Sequence, residues 1–430
     1  MITTLQLLIF IIIVGLGLKY IFTPSILTNH PFIRKQQFVT SGAQKFFLLV
    51  LATSILQLGS FSAMRLLISI IMIGIAILYN RNKTVFSLVT IMYILFLLWL
   101  VCSILYSPVK AYGVRTFLKY IYPFLILLLA SKVASSSLFV YRSLKLISFV
   151  GILGAVYVLF LSKTPIISPL FRSLFWYVPA ILDFMGVPLA IAMAYYTMKV
   201  KKRYIWLLPL FVLPCIVAVN RTGLLVVSIT MAVFSAIRYN LRSAPYILLA
   251  GGILVGVVLY VPAIREKMFF KSLSTEQIVE NRESLTADDI DSSGRFAMWE
   301  WSLKNYYENK KLTGSGLGVL QERFYSLNHP FGNIRIVHND YVQLLCDTGL
   351  IGLILYISIF ISMIVHSIVV FYSKNPFTVK LLAVVSAASI AGMAAALYTD
   401  NAVNYSLMTL GYPFAIYGMM IGLKRNGINR

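Results

Sequence analysis

Carboxylates are scarce in this sequence and unevenly placed. There are 14 Asp and Glu against 37 Lys and Arg in 430 residues, and all but Asp183 and Asp400 fall within residues 265–349. Charge of either sign makes up only 12% of the chain, 59% is hydrophobic and the mean hydropathy is +0.85. Soluble domains carry roughly 45–50% apolar and about 25% charged residues, so an ordinary soluble protein is excluded and an all-α polytopic membrane protein is expected. Three cysteines, Cys102, Cys215 and Cys346, form neither a CxxC pair nor an even framework, and imply neither a metal site nor a disulfide scaffold. The formal net charge of +23 does not point to nucleic acid, because the cations sit in short clusters between apolar runs, where topology signals belong.

Crossing the hydrocarbon takes about 20 mainly apolar residues. Runs of that kind cover 2–18, 45–59, 61–79, 85–106, 115–131, 140–162, 175–197, 204–219, 223–237, 245–263, 349–372, 379–399 and 405–423. That predicts thirteen spans, or twelve if 45–59 and 61–79 form one tilted span. Residues 2–18 lack a basic leader and a clear small-residue cleavage site, so they read as a span rather than a signal peptide. Cation clusters (Lys19 to Lys45, Arg81 with Lys83, Lys132 to Lys145, Lys199 to Arg203, Arg238 with Arg242, Lys374 with Lys380, Lys424 to Arg430) occupy alternate connections, which the positive-inside rule assigns to the cytoplasm. The others then face outward, among them 220–222, the long polar insert and 400–404. The expected organisation is ten helices over 1–263, an outward loop over 264–348, and three helices with a cytoplasmic tail over 349–430.

The insert runs some seventy residues before His338, too long for an unstructured connection inside a compact protein. Phe296, Trp299, Trp301, Leu303, Tyr306 and Tyr307 recur at helical spacing behind Ser293 as N-cap. This predicts an amphipathic helix at the membrane surface, either part of a site or a lid with no catalytic part. The run Gly314-Ser315-Gly316-Leu317-Gly318 lacks the flanking strand of a nucleotide loop and reads as a turn that brings backbone close to a neighbour. Of four histidines, His30 lies in an inner connection, His329 in a Pro-flanked turn and His366 within a span. Only His338 combines an outward place with polar neighbours, Asn339 and Asp340, and a side chain suited to proton transfer near neutrality. Arg221, at an outward helix rim, is either an interfacial anchor or a planar fork for phosphate oxygens. Arg172 and Arg295 also lie outward, where the positive-inside rule does not ask for them. Asp183 sits about 12 Å into its span at ~1.5 Å per residue. At that depth it needs a cavity or a cation; orienting an outward arginine and proton coupling are the two readings. Arg65 is close enough to a span end to snorkel.

His338-Asn339-Asp340-Tyr341 followed by Gly349-Leu350-Ile351-Gly352, upstream Ser293-Gly294-Arg295 with Trp299, the Gly314–Gly318 turn and Arg221-x-x-x-Leu225 together resemble the O-antigen ligase and O-antigen polymerase superfamily, over about residues 42–417. The resemblance implies a GT-C-like, metal-independent, inverting glycosyltransferase of the bacterial inner membrane, with no cofactor and with its site on the periplasmic side. It implies an undecaprenyl-diphosphate-linked glycan as donor. The acceptor is a lipid-linked repeat unit in the polymerase branch, which is the expectation here, or lipid A-core in the ligase branch; a chain-length regulator is a further candidate partner. By position, His338 and Arg221 take the catalytic roles. Arg172, Arg295, Asn339, Asp340 and Tyr341 are the expected substrate-binding residues, and Asp183 the orienting acid. A flippase for a lipid-linked sugar is the rival class, although the two halves show no internal repeat.

Overall fold

The computed structural model describes residues 41–56, 62–80, 87–162, 178–243 and 294–428, with 245, 256 and 260 besides. Among them every regular element is a helix: α1 Gly42–Thr53, α2 Ser62–Tyr79, α3 Leu88–Tyr106, α4 Lys110–Val133, α5 Ser137–Leu161, α6 Val178–Thr197, α7 Leu207–Val217, α8 Arg221–Tyr239, α9 Arg295–Tyr306, α10 Val319–Tyr325, α11 Asp340–Tyr372, α12 Phe377–Thr399 and α13 Gly411–Ile428. The protein is thus an all-α polytopic membrane protein. Seven of these helices, α3 to α6, α8, α11 and α12, are long and apolar enough to cross a membrane. Thirteen were expected. The spans expected over 45–59 and 204–219 shrink to α1 and α7, with Pro214 inside α7 and a 3₁₀ turn, Lys202–Trp206, before it. At ~1.5 Å per residue such helices cover only about half the hydrocarbon. Residues 2–18 and, save three positions, 245–263 lie outside the described residues.

Helix starts follow local chemistry. The hydroxyl of Ser87 accepts the Thr90 amide at the head of α3, and Asn220 Oδ1 accepts the Gly223 amide at 2.5 Å at the head of α8. In hydrocarbon no hydrophobic force drives one helix onto another, so close packing through small residues must serve. On α13, Gly418 and Gly422 lie four residues apart against the α4 backbone, and a Cβ at either would collide with the carbonyl of Leu127 or Ser131. Gly186 of α6 and Gly392 of α12 both press on Thr230 of α8, and α12 is buried along most of its length.

Successive helices alternate in direction, which gives the bundle two unlike ends. At one, cations meet helix-end carbonyls: Lys132 Nζ donates to Ile77 O at 2.8 Å and Asn80 O at 3.1 Å, and Arg238 donates to Thr197 O at 3.4 Å. Lys199 and Lys380 lie with Arg238 around one cavity there. The other end gathers the end of α3, the starts of α4, α8 and α11, the end of α12 and all of 294–339.

Residues 294–339 share a small core with the start of α11: Met298, Leu320, Phe324 and Val337 with Cys346, flanked by Trp299, Trp301 and Phe331. The apolar face of α9 is therefore turned largely onto this core rather than to lipid, leaving Phe296 43% exposed. Its N-cap is Gly294, at φ 74, not the expected Ser293.

Candidate functional site

One break in a helix arranges much of the His338 end. α11 is interrupted at Gly349, where φ is 68. Such a break frees amides and carbonyls that hydrocarbon cannot satisfy. Here the Leu350 amide donates to Lys311 O and the Ser315 and Gly316 amides donate to Cys346 O and Asp347 O. Trp99 Nε1 of α3 donates to Thr348 O at 3.0 Å. The expected glycine turn supplies this fit: Gly314, Gly316 and Gly318 all have positive φ, and a Cβ on them would strike the backbone at Thr348, Ser107 or Gly113. Asp347, buried in α11, then accepts the Gly318 and Leu320 amides at 2.9 Å each, capping α10 from another helix.

The same end of α11 holds His338. Asn339 is the N-cap, its Oδ1 accepting the Tyr341 and Val342 amides at 3.0 Å. Asp340 accepts Asn401 Nδ2 and the Val403 amide, both at 3.0 Å, and Tyr341 donates to Ala394 O at 2.8 Å. Asn401 Nδ2 also donates to Gln343 Oε1 at 2.9 Å. Residues 339–343 are thus bonded to α12 and to the corner that follows it. His338, at φ 53, occupies a left-handed conformation worth about 1–3 kcal/mol of strain. Its amide donates to Asn401 Oδ1 at 2.6 Å, which holds it there.

On the ring, Nδ1 of His338 lies 3.1 Å from Asp400 Oδ1, an oxygen that also accepts the Asn401 amide at 2.8 Å. A carboxylate can only accept, so Nδ1 carries the proton and Nε2 is left with a lone pair. The imidazole is 31% exposed and the carboxylate 9%. The imidazole is thus held in one tautomer by a largely buried acid.

α9 braces both partners. Trp299 Nε1 donates to Val337 O at 2.9 Å, and Arg295 Nη1 donates to Thr399 O at 2.6 Å, each one residue before a member of the pair. The Trp299 ring packs edge-on against Tyr398 at 5.5 Å. Arg221 opens α8, whose Val226 and Thr230 face Gly392 of α12. Running antiparallel, the start of α8 therefore lies beside the end of α12, near Asp400. Asp183 is fully buried, within electrostatic reach of Asp400, Asp340 and Arg295. Among the described residues neither of its oxygens has a hydrogen-bond partner, so no arginine is bonded to it.

The structure thus brings His338 and Arg295 together around Asp400 and sets Arg221 on the adjoining helix end. The polar atoms named above on Asn339, Asp340 and Tyr341 are engaged by the protein itself. Arg172 lies outside the described residues. Asp400 and Asn401 were missing from the expected site, although Asp400 is one of only two acids outside residues 265–349.

No curated protein matches the chain. Residues 206–357, which span α7, α8, α9, α10 and the first half of α11 with His338, match the family model described as O-antigen ligase. These residues thus carry a domain of the O-antigen ligase and polymerase superfamily of glycosyl-transferring membrane proteins.

Proposed function

We propose that this protein is a surface-polysaccharide polymerase of the bacterial inner membrane, moving a glycan from undecaprenyl diphosphate onto a lipid-linked repeat unit at the periplasmic face. The observation that carries this reading is the His338–Asp400 pair, braced by α9 and bordered by Arg295 and Arg221. The opposite end holds Lys132, Lys199, Arg238 and Lys380, which supports an outward location for His338 under the positive-inside rule.

The chemistry follows from the groups present. The acceptor hydroxyl attacks the anomeric carbon on the face away from the diphosphate. A carbon–oxygen bond forms to the acceptor, the bond to the diphosphate oxygen breaks, and the configuration inverts. The hydroxyl proton passes to Nε2 of His338, while Asp400 stabilises the imidazolium through Nδ1–H. Negative charge grows on the departing diphosphate, where Arg221 and Arg295 act more strongly on the transition state than on the ground state. No step calls on a metal or cofactor. Asn339, Asp340 and Asn401 position rather than react.

A glycan gel tests the reading and separates the branches. A deletion strain of a polymerase leaves core carrying one repeat unit. In the ligase branch the core stays bare while polymer accumulates on the carrier, and that result would replace this proposal with the ligase. Complementation by the intact chain restores long glycan, and His338→Ala at equal membrane abundance does not.

A further inference from the structure

A second cluster of cations at the His338 end takes no part in the mechanism above. Arg115 and Lys119 stand one turn apart on α4. Like charges at that spacing repel. Lys119 is almost wholly buried, and its Nζ donates to Asn404 Oδ1 at 2.5 Å. The Arg115 guanidinium lies 5.6 Å from the Tyr325 ring centre, and Arg335 approaches the same ring at the same distance. None of these three cations comes within 4.0 Å of a carboxylate among the described residues, where the one such ion pair joins His338 to Asp400. Of the nearby acids, Asp340 is bonded to Asn401 and Val403 and lies within electrostatic reach of Lys119, and Asp347 is bonded to Gly318 and Leu320.

Arg115 and Lys119 line a cavity of about 180 Å³, together with Gln321, Tyr325 and Asn404 and with apolar side chains that include Leu66, Leu118 and Ile336. Its apolar side belongs partly to α2, whose Met64, Leu67, Ile68 and Ile71 are each 44–58% exposed and form a lipid-facing strip. The cavity is mostly apolar, with the two cations of α4 set into its lining. It is also separate from the His338 ring. The corner 400–404 divides them, giving Asp400 to the imidazole at its start and Asn404 to Lys119 at its end.

We propose that this cavity is a second anion site, which holds the phosphate group of a lipid-borne acceptor while its glycan reaches round the corner to His338. The identification as acceptor rests on the transfer reaction proposed above; the anion site itself rests on the cations and the cavity. In a lipid-linked repeat unit the attacking hydroxyl and the phosphate are at opposite ends of the glycan. An acceptor anion site must therefore be displaced from the reacting centre, as this one is.

The test uses the full chain in phosphatidylcholine nanodiscs, with geranylgeranyl diphosphate as probe and native mass spectrometry to count bound molecules. Two should bind the intact chain, and Arg221→Ala should retain the one in the cavity. Arg115→Gln, at an exposed position that should not disturb folding, should weaken one binding event roughly tenfold, the loss expected for one charge-assisted hydrogen bond. Arg115→Gln with Lys119→Gln should leave a single site, with KM raised for acceptor and not for donor. A single site in the intact chain, or two in the double variant, would overturn the proposal. Inorganic diphosphate filling the cavity as well as the isoprenoid would overturn its lipid-borne character, and displacement by phosphatidylglycerol at equal concentration its assignment to an acceptor. Loss of transfer with both sites intact would count against the reaction and not against the anion site.

Discussion

At the basic end of the bundle a cavity of about 380 Å³ is lined by Lys199, Arg238 and Lys380, and at the His338 end one of about 180 Å³ is lined by Arg115 and Lys119. Both are cationic, yet they call for different explanations. Lys199, Arg238 and Lys380 stand in or beside connections that membrane insertion fills with cations whatever the protein does. Arg115, Lys119, Arg221 and Arg295 stand at the opposite end, where Asp347 is bonded to two amides, Asp340 to an amide and a side-chain amide, and Asp400 to an imidazole. On the proposed reading, charge at one end is a topology signal and at the other a means of holding anions.

Substitutions at the two ends should separate these meanings. His338→Ala should have the largest effect, lowering kcat by roughly a hundredfold or more, as expected for loss of a general base, with the protein still in the membrane. Arg221→Ala should come next, losing on the order of 3 kcal/mol of transition-state stabilisation, read as kcat/KM in a transfer assay. Asp400→Asn removes the charge that orients and stabilises the imidazole. It should lower kcat by about 1.5–3 kcal/mol, the worth of a hydrogen bond to a charged group, with donor KM little changed. Asp347→Ala should act on stability instead: it leaves the Gly318 and Leu320 amides without their acceptor, at about 1–3 kcal/mol each, and should lower the thermal unfolding midpoint in detergent. Arg238→Gln at the basic end should have the smallest effect, with transfer by correctly inserted protein unchanged. A large loss of turnover there would erase the distinction between the ends.

Much of this was legible in the residues. His338 stood out because polar groups are rare in this chain and their order is informative, and the glycine turn because three glycines in five residues have few uses outside a tight backbone approach. The Trp and Tyr pattern gave α9 correctly as a helix but not its burial, since periodicity shows a face and not what covers it. Asn339, Asp340 and Tyr341 read as ligand-binding because they adjoin His338. The partners of Asp340 and Tyr341, namely Asn401, Val403 and Ala394, lie more than fifty residues away and emerge only once α12 packs on α11. Asp400 was hidden for the same reason, since nothing local to it marks an imidazole 62 positions earlier. Arg115 and Lys119 fell within or beside an apparent span, where a cation reads as a snorkelling anchor until a cavity is seen beside it.

The central claim is that transfer depends on the ring of His338, held by Asp400. Its most direct test is transfer by purified protein, with no ion gradient, from a synthetic polyprenyl-diphosphate-linked repeat unit. The intact chain should join units into longer glycan while His338→Ala makes none, although both bind geranylgeranyl diphosphate equally. Glycan made by His338→Ala at the rate of the intact chain would contradict the account.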